Sequence, residues 1–202
     1  LIVAVPPYWR EGKQRIVLER LHTQGYELVT LDMALNGHYH LHVYPALAGL
    51  VRRVRPHVFH IDEEPYNLAT WHALRVGQRA GARCLFFTWQ NLYRAQTWNL
   101  AQRYVLSHAD GAIAGNADAA AILRRRGFTR PLVVIPQFGV DPAIYRPLPD
   151  ARAQRSALLP GVTDSTFVIG YLGRLVEQKG LLGLVRAAAP LEGDWRLVLV
   201  GG

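Results

Sequence analysis

Gly173-Arg174 and Lys179-Gly180 are the residues of this 202-residue chain best suited to hold an anion. They lie in FVIGYLGRLVEQKG, residues 167–180, where an apolar strand-like run leads into a loop and then into the start of an apolar helix-like run. Two fixed cations at the carboxyl end of a strand, with a helix N-terminus just behind them, make a receptor for a diphosphate. The guanidinium offers a planar fork to two phosphate oxygens, and the ammonium offers a point charge. An ordinary strand-to-helix connection with both cations solvated would show the same pattern. The basic residues number 23, and all but Lys13 and Lys179 are arginine, which gives Lys179 added weight.

A second group of candidates is acidic. Asp62, Glu63 and Glu64, three of the 15 acidic residues, stand side by side directly after the strand-like HVFHI. Like charges packed so closely are costly unless they are solvated or partnered. The loop is therefore either a solvated turn that caps the next helix or an arrangement around a cationic or hydroxyl-bearing ligand. Trp89, Gln90 and Asn91 follow RCLFFT, with Tyr93 close by, and offer an aromatic face and two amides to a sugar or base. Covering the end of the core is the plainer role for Trp89. Asn116 stands after GAIAG at an N-cap position, and Gly139 and Asp141 lie in QFGVD, residues 137–141, behind another strand-like run. His38, His40 and His42 would share one face of an extended segment, but an edge strand or ordered loop explains them equally well. No carboxylate or cysteine accompanies them, and no metal site is expected.

These loops need elements to carry them. Strands are expected at LIVAV from Leu1, at 26–31, 57–61, 83–88, 111–114, 132–135, from Phe167, and at 195–200. Helices are expected over 13–24, 46–54, 67–80, 98–107, 117–126 and 181–189, with a helix-like run at 152–159 and Pro142 opening a helix capped by Asp141. Gly25, Gly81 and Gly127 stand where C′ residues end helices. Strands alternating with helices, through connections too long for hairpins, call for parallel sheets covered on both faces. Every loop singled out above follows a strand, which is the edge where such sheets gather ligands. Prolines 147, 149 and 160 with Gly161 punctuate a join, so the expected organisation is a domain over 1–147, a linker over 148–165 and a second domain over 166–202.

Composition narrows the class. Half of the residues are hydrophobic and 19% are charged, as in globular proteins, and no apolar run approaches the roughly 20 residues of a spanning helix. The net charge of +8 favours anionic partners: nucleotides, phosphorylated substrates, acidic lipid surfaces or nucleic acid. The Arg124-Arg125-Arg126 run complements a helix dipole and has no aromatic-interleaved basic stripe beside it, so nucleic acid is not expected. The lone Cys84 forms no internal disulfide and suits a reducing, cytoplasmic setting, with peripheral membrane contact through the basic surface left open. A dinucleotide oxidoreductase would need G-x-G-x-x-G after a first strand, and that string is absent.

The ordered set HIDEEP, FFTWQN, IPQFGVDPAIYRP, IGYLGRLVEQKG and LVLVGG resembles the retaining GT-B glycosyltransferases of family 4, also called glycosyl transferases group 1. The resemblance covers most of the chain, and the G-R-x4-K-G element is its sharpest part. It implies two Rossmann-like parallel-sheet domains, the acceptor mainly on the first and a nucleotide-diphosphate sugar mainly on the second. The first is expected nearly complete, without its opening strand and loop, and the second only in its first part. By carry-over, Gly173, Arg174 and Lys179 hold the donor diphosphate. Gly139 and Asp141 belong to a loop at an interdomain cleft, to which Asp62, Trp89, Gln90, Asn91 and Asn116 also contribute, and Glu63 and Glu64 place the acceptor hydroxyl. The implied reaction is metal-independent transfer with retention to a sugar, lipid-linked or other hydroxyl acceptor, the nucleotide sugar being a co-substrate and no cofactor being needed. Three departures stand out. The family's histidine in the HIDEEP loop is replaced by acids, with His60 back in the strand; Gln137-Phe138 stand where an asparagine is usual; the downstream E-x7-E element is not present. The 202-residue piece alone is expected to be inactive. A two-domain sugar- or nucleotide-binding protein without chemistry is the alternative.

Overall fold

The computed structural model describes residues 1–21, 23–92, 100–136 and 138–201. The chain forms two compact units, Leu1–Gly139 and Val140–Gly202.

The first unit opens with β1 (Ile2–Val5), then β2 (Tyr8–Glu11) and β3 (Gln14–Val17), which form an antiparallel hairpin, and β4 (Glu27–Thr30), which pairs in parallel with β1. The hairpin overturns the helix expected over 13–24. Helical spacing of Ile16, Val17, Leu18 and Leu21 was the wrong signal, and Gly12-Lys13 was the right one. Gly12 has φ +59° at the first of two loop residues, the position where a tight hairpin turn needs a left-handed residue. The Arg15 guanidinium then lies 4.0 Å above the Tyr8 ring, a diagonal cross-strand pair that an aromatic strand offers and a helix would not.

From there strands and helices alternate. α1 (Leu47–Val54) leads to β5 (Val58–Ile61), α2 (Leu68–Arg79) to β6 (Arg83–Thr88), α3 (Leu100–His108) to β7 (Gly111–Ala114), and α4 (Ala117–Arg125) to β8 (Leu132–Val134). α1 stops because the residue before Pro56 is disfavoured in the α region. Arg55 turns left-handed at φ +48° and donates its N–H to Val51 O. The four strands β5-β6-β7-β8 form one parallel sheet in sequence order, as βαβ crossovers require. Its core holds Leu74, Phe86, Val105 and Phe128, with Phe86 and Phe128 edge to face at 5.5 Å. Cys84 is fully buried there, and burial, helped by Asp110, pushes its thiol up to about 11, so it acts as a small core residue. The expected helix start at Trp98 lies outside the described residues.

The second unit contains α5 (Ala151–Leu158), β9 (Phe167–Leu172), a 3-10 turn (Glu177–Lys179), α6 (Leu181–Ala188) and β10 (Trp195–Val200). β9 and β10 pair in parallel from Phe167↔Trp195 to Leu172↔Val200. Behind Asp141 there is a single turn in place of the expected helix. Asp141 caps it, its carboxylate accepting from Ala143 N at 2.8 Å and its carbonyl from Tyr145 N at 2.8 Å. The protein is thus mixed α/β with parallel sheets. Among the described residues, no helix is long and apolar enough to cross a membrane.

Candidate functional site

The carboxyl ends of β5 and β6 carry a connected polar network. Pro65 is fully buried and pins the acidic loop, and Thr70 Oγ1 and Asn67 N both donate to Glu64 O, at 2.6 and 3.0 Å. With the backbone so fixed, the two glutamates find separate partners. Glu63 accepts from Asn67 Nδ2 at 2.7 Å and meets His42 Nε2 at 3.0 Å. Glu64 accepts from Thr88 Oγ1 at 2.6 Å and from Trp89 N at 2.8 Å. Glu63 and Glu64 are therefore partnered by groups of the chain itself, an arrangement that neither of the two alternatives described.

Each ionisation state follows from those partners. His42 is buried, and its Nδ1 lies 3.3 Å from His38 O while Nε2 faces a carboxylate. Both partners are acceptors, so the doubly protonated ring satisfies both. Burial opposes that charge, but the hydrogen bond and attraction of Glu63 outweigh it, and the His42 pKa is raised. Burial likewise raises the Glu64 pKa, with Glu63 adding to it, although the Thr88 hydroxyl and the Trp89 and Gln90 amides pull the other way. A half-buried carboxylate with a raised pKa and a fixed orientation is a better proton acceptor than a solvated one. Asn67 sits at the N-cap of α2 yet makes no side-chain cap bond. Its amide is spent on Glu63 and on His40 Nδ1, at 3.0 Å. Asn67 thus ties the acidic loop to the His40 turn and leaves its helix without a side-chain cap.

Beside Glu64, the Trp89 and Phe138 rings stack with centroids 6.1 Å apart and planes 11° apart. Trp89 is 37% exposed and Phe138 78%, so together they present an aromatic surface to solvent. A Cβ on Gly115 would sit 2.6 Å from Trp89 Cδ2, so the indole depends on glycine there. Gln90 Nε2 donates to Leu92 O, and Asn91 is exposed. Asn116 Oδ1 accepts from Ala119 N at 2.8 Å and so caps α4, as its position suggested, which commits the side chain to the helix. Asp62 is exposed in the loop, and Gly139 is exposed at the end of the first unit. Tyr93 and Gln137 lie outside the described residues. His38, His40 and His42 form a turn, with His42 N bonded to His38 O, so the shared face of an extended segment does not arise. Among the described residues, no group of three or more His, Cys, Asp or Glu is placed to hold a metal ion.

The second unit places Gly173 and Arg174 immediately after β9, and Lys179 at the end of the 3-10 turn before α6; both cations are exposed. Gly173 N donates to Val200 O at 2.9 Å, and Tyr171 OH donates to Arg174 O at 2.8 Å, which fixes the loop. A Cβ on Gly201 would lie 1.8 Å from Gly173 O, so the loops after β9 and β10 touch backbone to backbone. The short turn ends at left-handed Gly180, where α6 begins.

Sequence reasoning missed the roles of His42, Asn67, Thr88 and Phe138. The histidines were read as one face of an extended edge strand or ordered loop, and a polar Thr88 at the last position of a buried strand was a usable signal. No family model matches the chain, and comparisons with curated proteins and with solved structures give no significant match.

Proposed function

We propose that this chain is part of a GT-B-type retaining glycosyltransferase that moves a sugar from a nucleotide-diphosphate donor to an acceptor hydroxyl. The observation that carries this reading is a built, partnered carboxylate, Glu64, after a parallel strand of one α/β unit, together with Arg174 and Lys179 after a parallel strand of the other. Glycosyl transfer needs a diphosphate leaving group neutralised while the anomeric carbon becomes cation-like, and it needs the acceptor hydroxyl oriented. In this reading Arg174, Lys179 and the N-terminus of α6 take the leaving-group charge without a divalent ion. Glu64 accepts a hydrogen bond from the acceptor hydroxyl, and the His42–Glu63 pair and Asn67 hold the loop that carries it. Trp89 and Phe138 offer a stacking face for a sugar ring.

The test is binding of UDP, GDP, ADP and pyrophosphate, followed by ligand-observed NMR with and without EDTA. Charge-assisted hydrogen bonds contribute about 1.5–3 kcal/mol each, so Arg174→Ala and Lys179→Ala are each expected to weaken nucleoside-diphosphate binding by roughly tenfold or more, with EDTA having no effect. Unchanged binding in both variants would overturn the donor-site assignment. In the complete two-domain protein, binding that survives but never leads to acceptor-stimulated release of the nucleoside diphosphate would favour a non-catalytic binding protein.

A further inference from the structure

β1 and β5 each carry a hydrogen-bond ladder on one edge, β1 with β4 and β5 with β6. Both strands also line one cavity of about 1080 Å³, walled on its other sides by apolar residues of α1 and α2 such as Leu47, Leu50 and Ala73. The ladders reveal which backbone atoms face it. Leu1 O and Val5 O accept from Glu27 N and Leu31 N, at 3.0 and 2.9 Å, so residues 1, 3 and 5 face β4, and Ile2 and Ala4 turn their N–H and C=O away from it. His57 O accepts from Arg83 N at 2.8 Å, and by the same alternation Val58 and His60 turn theirs away from β6. Ile2, Ala4, Val58 and His60 are also the exposed residues of these two strands.

An apolar small molecule would fill the volume and leave those eight backbone groups without partners, at a cost. A polypeptide strand offers alternating N–H and C=O along both of its edges and would continue the ladders on either side. The resulting order, β4, β1, the added strand, β5, β6, β7, β8, follows the doubly wound order 3-2-1-4-5-6, with the added strand in first place. We propose that this cavity is the seat of one further β-strand, an extended apolar peptide segment of about five residues that joins the two sheets into one. Covered on both faces, it would be a continuous Val/Ile-rich run. In parallel sense its carboxyl end would lie near Asp62 and Glu63, which line the same cavity, so the residue after it would reach the polar network. The seat rests on the sheets alone and is independent of the chemistry proposed above.

The test adds to the chain a lysine-flanked peptide with a Val/Ile core of about six residues, and in parallel the same peptide N-methylated at alternate amides, and follows backbone amide exchange residue by residue. The expected result is that the first peptide slows exchange at Ile2, Ala4, Val58 and His60 together by tenfold or more, and the N-methylated one does not. Ala4→Pro and His60→Pro remove donors that face the cavity while sparing the ladders to β4 and β6, and each is expected to abolish the protection. Protection on one strand only, or equal protection by the N-methylated peptide, would overturn the seat. So would protection of the four amides without peptide that rises with protein concentration alongside a dimer in light scattering, because a second copy would then be the occupant.

Discussion

Glu64 combines two opposed demands. Thr88 and Trp89 donate to it as to a carboxylate, while burial favours the protonated acid and raises its pKa. A carboxylate raised in the folded state costs stability in full above its folded value, and the cost shrinks as pH falls below that value and is gone below its unfolded value of about 4.3. Glu64→Gln removes the buried charge and keeps an acceptor for Trp89 N. It is therefore expected to melt no lower than the parent at pH 7 and, in the complete two-domain protein, to abolish acceptor-dependent turnover; a clear drop in thermal midpoint would show that the charge is structural. His42 has the opposite sign. Its raised pKa contributes stability fully present below about 6.5, and this is lost as pH rises through the folded value. Glu63→Gln leaves burial as the largest influence on His42 and should remove or reverse that pH dependence, as read from denaturant midpoints between about pH 5 and 9.

At the scale of elements, the parallel β5-β6-β7-β8 sheet, the capped α4 and the loops after strands were legible, because apolar runs, Asn116 and the glycine stops act locally. The β2–β3 hairpin was hidden by apolar residues whose spacing also suits a helix, and only Gly12 distinguished the two. The His42–Glu63 contact spans 21 residues and the Glu64–Thr88 contact 24, so no local pattern announces either. Nor does sequence reveal that Gly115 makes room for Trp89. Gly115→Ala forces the indole aside, and overpacking of this kind costs about 1–3 kcal/mol. The expected outcome is a lower unfolding midpoint together with loss of the near-UV circular dichroism of the Trp89–Phe138 stack. An unaltered spectrum would mean that the indole does not rest on this glycine.

Across the whole molecule, burial is unequal. Among the described residues, the buried hydrophobic set lies in the first unit except for Val162 and Ala188, while Phe167, Leu172 and Leu182 of the second unit are exposed. Local stability follows buried apolar contact, so amides of β6 and β7 should exchange slowly and those of β9 and β10 much faster. The same asymmetry gives the donor-site assignment an independent readout. A ligand that binds only the folded form stabilises it by mass action, about 2.7 kcal/mol at one hundred times its dissociation constant. If Arg174 and Lys179 hold a diphosphate, saturating nucleoside diphosphate should slow exchange across β9, the 3-10 turn and α6 by roughly a hundredfold and leave β6 and β7 unchanged. Arg174→Ala should cancel that protection, as judged against exchange in the same variant without ligand. Protection confined to β5, β6 and their loops would instead place the diphosphate on the first unit, and the roles assigned to the two units would have to be exchanged.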